Sequence, residues 1–210
     1  MVNSFFYRIC EWIMRFALLN FLWISFTLLG FIVLGFFPAT VAMFTVVRKW
    51  IMKQSDIAIW KTFFTSYKSE WLRSNLFGII ILGLGGIIYL EFTVIKDTND
   101  LLLQVSKYPL FLLFLLFCVL LLYGFPTYVH YRVRLYQVFK NSLLVSLINP
   151  FFTIVMVLGL ALIYLLVKIL PPLLLFFGGS ASAYFIMWCC YQAFLNVQAR
   201  KDKLSTSVDN

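Results

Sequence analysis

Five stretches of this chain are apolar and almost uncharged over about 20 residues each, the length that crosses a hydrocarbon core of about 30 Å at 1.5 Å per residue. They run over about 16–37, 76–95, 110–131, 148–167 and 173–196. The first carries no charge at all, and the second holds Glu91 near its end. In the fourth, Pro150 falls near the first turn, where proline is tolerated. Continuous apolar faces of this length have no solution in water. The chain is therefore expected to be all-α, an integral membrane helical bundle forming one domain over 1–199, with a polar cytoplasmic tail over 200–210.

Composition agrees with that reading. Of 210 residues, 63% are hydrophobic and 12% charged, against roughly half and a quarter in soluble domains. Mean hydropathy is +0.95. Four Cys without metal or disulfide spacing read as small core residues. A net charge of +9 invites a nucleic-acid reading, but no nucleic-acid motif accompanies it, and membrane topology explains it better. With five spans, Arg8, Arg15, Lys96, Lys107 and Lys168 fall on one side and the other twelve of the 17 Lys+Arg on the opposite side. The basic side is cytoplasmic by the positive-inside rule. The expected topology in the cell membrane is thus N-terminus outside and C-terminus inside, with Asp97 and Asp100 in an outer loop. A signal peptide is not expected: the first run is too long for one, and Arg48, Lys49 and Lys53 follow it as a stop-transfer pattern.

Two pieces between spans are amphipathic. Phe5, Ile9, Trp12, Ile13 and Phe16 share a helical face opposite Arg8, Glu11 and Arg15, as in a short helix lying in the interface. Residues 39–75 have no Gly and many aromatics, and predict two cytoplasmic amphipathic helices divided near Gln54-Ser55-Asp56, with Ser55 or Asp56 as N-cap. Arg48, Lys49, Trp50, Trp60, Phe63, Phe64, Tyr67 and Trp71 are the candidate partner-docking residues; anchoring in lipid headgroups is the plainer reading of the same stripe.

A weak internal echo joins Gly35-Phe36-Phe37-Pro38 to Gly124-Phe125-Pro126, each followed by basic residues and a return through Asn75 or Asn149. Whether the two hairpins are a duplication stays open. Pro38 and Pro126 are expected to kink their helices where the chain leaves the bilayer. Glu91 and Lys168 close their spans on the same side, so they are candidates for an ion pair or for separate snorkelling to the headgroups. Small residues (Gly78, Gly83, Gly85, Gly86; Gly178 to Ala183) fit close helix packing or an oligomer face. His130 has no visible metal partners, and acylation of Cys189-Cys190 is a minor reading. No Walker loop, nucleophile elbow or zincin motif occurs, so no enzyme activity and no cofactor or metal are expected.

The segment Gly35-Phe36-Phe37-Pro38-Ala39-Thr40-Val41-Ala42-Met43, with Val47-Arg48-Lys49-Trp50, Phe63-Phe64 and Arg73-Ser74-Asn75, resembles the YesL family of bacterial multi-pass membrane proteins. The resemblance extends over essentially the whole chain in length and span count. That family is typically encoded beside sugar ABC importers, solute-binding lipoproteins and polysaccharide-degrading enzymes, and its molecular activity is not established. It implies an accessory role in carbohydrate (oligosaccharide) ABC import, with importer permease or ATPase subunits as partners besides the lipid bilayer, and it carries over no catalytic residue. A small stand-alone channel or facilitator, a structural or regulatory membrane protein, and a homo-oligomer are the alternatives.

Overall fold

The structure is a computed structural model that describes residues 2–54, 56–96, 107–131 and 133–208. It is built of helices α1 (Val2–Leu29), α2 (Val33–Ile51), α3 (Ile59–Ser69), α4 (Trp71–Lys96), α5 (Lys107–Tyr131), α6 (Leu135–Ile148), α7 (Pro150–Ile169) and α8 (Gly179–Val208). A single π-helical turn, Leu174–Gly178, leads into α8. By length and composition six helices are able to cross a membrane, rather than five. The outer loop expected to hold Asp97 and Asp100, and Arg132 and Ser55, lie outside the described residues.

The extra helix comes from the first apolar run. Where one span was expected over 16–37, the chain reverses at Gly30-Phe31-Ile32, and α1 and α2 form an antiparallel hairpin. Trp12 and Phe16 meet Trp50 at ring distances of 5.5 and 5.6 Å, Trp23 Nε1 donates to Thr40 Oγ1 at 3.1 Å, and Gly30 lies against Gly35. A side chain at either glycine would collide with the opposite backbone, so this contact requires Gly on both strands of the hairpin. Phe31 and Ile32 take positive φ of 57° and 61°, which for a β-branched residue costs on the order of 1–3 kcal/mol. The turn's donors are nevertheless satisfied internally: Gly30, Phe31, Ile32 and Val33 each donate their N–H to a backbone carbonyl between Phe26 and Phe31.

This hairpin overturns three expectations. No separate interfacial helix precedes the first span, because α1 is continuous from Val2 and Glu11–Arg15 is an ion pair on its flank. Arg8 and Arg15 stand at the same end of the hairpin as Arg48 and Lys49, not at the opposite one. Pro38 does not end a span: it is the sixth residue of α2, near its start, while the break falls eight residues earlier at Gly30. Pro126 likewise lies within continuous α5.

Helix α2 is the centre of the bundle. Its residues from Phe37 to Phe44, with Val46, Val47 and Trp50, are buried, and α1, α3, α4, α5 and α8 all pack on it. The α4–α5 pair adds Phe37 against Gly78, and Phe125 stacks on Phe44 at 5.8 Å. α7 and α8 form the third hairpin, with Phe185 against Gly159 and Cys190 Sγ 3.8 Å from Met156 Sδ. Cys189 and Cys190 are fully buried there, which removes them from any acylating surface. The tail expected to be separate from Arg200 continues α8 as helix to Val208.

One buried amide ties the first hairpin to the last. The change from π to α pitch at Gly178–Gly179 leaves N–H groups without a partner one turn back. Asn20, fully buried on α1, supplies it: Oδ1 accepts from Gly179 N–H (3.0 Å) and Ser180 N–H (3.1 Å), while Nδ2 donates to the Leu175 carbonyl at 2.6 Å. Asn20→Leu keeps the volume and strands all three groups. We expect a loss of about 2–3 kcal/mol, read as a lowered thermal unfolding midpoint in detergent; an unchanged midpoint would show that the amide is dispensable.

Candidate functional site: a charged cleft at the basic end

The aromatic stripe over 60–71 divides into two faces. Phe63 and Tyr67 are buried on Phe26, at ring distances of 5.3 and 4.9 Å, and the Tyr67 hydroxyl donates to the Phe26 carbonyl at 3.1 Å. Burial raises the Tyr67 phenol above its ordinary value of 10.0, so it stays a donor at neutral pH. Trp71 packs edge-on against Tyr67 at 5.1 Å, and Trp50 is 4% exposed between Trp12 and Phe16. Trp50, Phe63 and Tyr67, read as docking residues, are therefore core. The period of the stripe was right and its direction was not, because an apolar face can turn toward lipid, partner or core with the same spacing. Only Trp60 and Phe64 of the stripe face outward. They stack at 6.4 Å, and Lys68 Nζ stands 4.4 Å over the Phe64 ring. The expected cap at Asp56 is not used: α3 begins after Ala58, which makes no side-chain cap.

Where α2, α3, α4 and α5 meet, polar groups converge. Thr45 and Arg48 come from the last turns of α2, Ser66 and Ser69 from the end of α3, Glu70 from the α3–α4 junction, Arg73 from the first turn of α4, and Tyr128 from α5. The Tyr128 hydroxyl donates to Glu70 Oε2 at 2.6 Å. The Arg73 guanidinium lies 4.9 Å over the Tyr128 ring and donates to the Val133 carbonyl. Thr45 Oγ1 donates to the Val41 carbonyl at 2.8 Å. The cleft carries two guanidinium groups against one carboxylate. Its cavity is about 50 Å³, room for a few waters and far below the roughly 300 Å³ of the smallest ligand pockets. A sugar does not fit. The arrangement fixes the α3–α4 corner and presents positive charge there.

Of the residues read as partner-docking in the sequence, only Arg48 lines this cleft. Arg73 had entered only as part of the family motif, and Glu70 and Tyr128 were missed because each lies within about a turn of a helix end and nothing local says that 70 and 128 meet. Lys49 is half-buried in the last turn of α2. The Glu91–Lys168 ion pair is not formed: Glu91, on the α4–α5 hairpin, borders a groove with Leu90, Val94 and Pro109, whereas Lys168 is exposed on α7 in the other hairpin. His130 is stacked on Phe194 at 4.5 Å.

These features define a helical multi-pass membrane protein whose basic groups gather at one end. A family described as "Protein of unknown function, DUF624" matches residues 16–92, the segment from α1 through most of α4 that holds Arg48, Glu70 and Arg73. Three proteins of Bacillus subtilis (strain 168) are similar over nearly the whole chain. "Uncharacterized protein YteU" is 40% identical over 193 residues, covering 91% of this chain and 86% of its own length. "Uncharacterized protein YesL" is 32% identical over 194 residues (92% and 91%), and "Uncharacterized protein YesV" 34% over 200 (95% and 96%). The chain belongs to this YesL-like family. No solved structure matches it.

The hydroxyl–carboxylate bond is the link between α5 and the α3–α4 corner. Tyr128→Phe is expected to cost about 1.5–3 kcal/mol, the range for hydrogen bonds to charged groups. Glu70→Gln, which keeps an acceptor, should cost less than Glu70→Ala. Thermal unfolding of the three variants in detergent gives the order; equal losses for Gln and Ala would refute the bond's role.

Proposed function

We propose that the protein is a non-catalytic accessory subunit of a bacterial carbohydrate ABC importer, held to a permease or ATPase subunit through the outward face of α3. The observation that carries the docking surface is the exposed Trp60–Phe64 stack flanked by Lys61 and Lys68: Trp60 is 58% exposed although Phe63 and Tyr67 on the same stripe are core. Trp and Tyr anchors dominate interface energetics, and basic residues around them suit an acidic rim. The link to sugar import comes from the resemblance to the YesL family alone. Tagged protein purified in mild detergent is expected to retain importer subunits, and Trp60→Ala with Phe64→Ala to lose them while still unfolding cooperatively, at a lowered midpoint because both rings also pack on Phe26 at 5.7 and 5.9 Å. Recovery of the protein alone, with sugar uptake unchanged in a deletion strain, overturns the reading. Solute flux through reconstituted vesicles favours a stand-alone channel instead.

The same reading includes an orientation. With the α1–α2 hairpin closed, Arg8 and Arg15 join the basic side, and 14 of the 17 Lys+Arg then lie at one end, leaving Lys96, Lys107 and Lys168 at the other. Both chain ends are accordingly cytoplasmic, which replaces an N-terminus outside. Cys10 is exposed near the start of α1, so an impermeant maleimide should modify it only after intact cells are permeabilised, whereas Lys107→Cys should react from outside. Labelling of Cys10 in intact cells would reverse the orientation.

A further inference from the structure

The face of α1 that was read as an interfacial stripe is used in two ways. Trp12 and Phe16 turn inward onto Trp50 and Tyr184. Their other edges, with Ile9 and Ile13, form one wall of an open groove of about 610 Å³ whose second wall is Phe177 from the π-helical turn and Ala181 from α8. Ile9 and Ile13 are 41% and 50% exposed. The volume is in the range of small-molecule sites, yet the walls are carbon throughout except at one point. That point is Arg8, which lines the groove at its N-terminal end.

Arg8 has no acidic partner among the described residues, since Glu11, the acid within one turn of it, is held by Arg15. A cation without a partner beside an apolar trough describes its own ligand: a fork of guanidinium donors fits a phosphate, and the trough accepts hydrocarbon. Trp12 beside Arg8 gives the pairing found at the headgroup level of membranes, where basic pockets between helices collect anionic lipids. We propose that this groove binds one anionic phospholipid, its phosphate on Arg8 and an acyl chain along Ile9, Ile13 and Phe16 against Phe177 and Ala181. The site is independent of partner docking at α3. On the orientation given above it lies in the cytoplasmic leaflet.

Native mass spectrometry of the purified full chain, titrated with phosphatidylglycerol or phosphatidylcholine of equal chain length, tests the assignment. Phosphatidylglycerol should be retained about fivefold more tightly, the factor that one Arg contributes near an anionic surface. Arg8→Gln, at an exposed position, should bring the two lipids level. Ala181→Phe, which fills the trough, should weaken both. Equal retention of the two lipids by the wild-type protein, or a preference that survives Arg8→Gln, overturns the proposal. The readout uses detergent-solubilised protein, so it does not depend on which way the chain faces in the cell; a failed orientation experiment with a positive lipid result would leave the groove standing.

Discussion

Everything in this bundle is arranged around a helix whose middle is enclosed by its neighbours. α2 is only 19 residues long, yet α1, α3, α4, α5 and α8 pack on it and its middle is buried. Burial of a helix all round requires partners that approach closely, and the small side chains Ala39, Thr40 and Ala42 on α2, with Gly30 and Gly78 facing it, provide the clearance. In a bilayer, where tails are as apolar as Leu, such close approach and the few interhelical polar bonds replace the hydrophobic effect as the source of association. The Trp23–Thr40 bond and the Asn20 clasp are polar bonds of that kind, and both sit where α1 joins the rest.

From this centre outward the bundle loosens. α4 and α5 beyond Ile81 pack chiefly on each other, through Phe92 on Phe114 at 6.1 Å and the small cluster of Ile88, Ile95 and Leu110, and a side chain added at Gly83 or Gly86 would meet nothing. α7 has Met156 as its buried residue. The wall of such helices is completed by lipid, and the groove beside Arg8 is a place where that completion is specific enough to have a preferred headgroup.

The helical class and the outer spans were legible because a run such as Leu110–Tyr131 has one interpretation by length. The first run was misread although arithmetic was available. From Phe16 to Val47 no charge occurs, 32 residues or about 48 Å of helix. That is too long for one span and, at about 20 residues each, too short for two, so both helices of the hairpin run on past the charged residues at its ends, α1 back to Val2 and α2 on to Ile51. The turn was hidden because its residues, Phe31 and Ile32, belong to the types least expected at positive φ. Gly30 and Gly35 were the visible trace. At the cleft, Arg48 was legible only as one of a docking group with Lys49 and Trp50, and the meeting of Glu70 with Tyr128 is set by how α4 and α5 cross, which no spacing within one segment encodes.

The shape of that first turn also governs how the chain can be made. Since nothing polar separates α1 from α2, a translocation machinery receives one uninterrupted greasy segment bracketed by Arg15 and Arg48, and the hairpin closes without moving any charge across the membrane. The later hairpins α4–α5 and α7–α8 are different: in the proposed orientation Lys96 and Lys107 lie at the far end of one and Lys168 at the far end of the other.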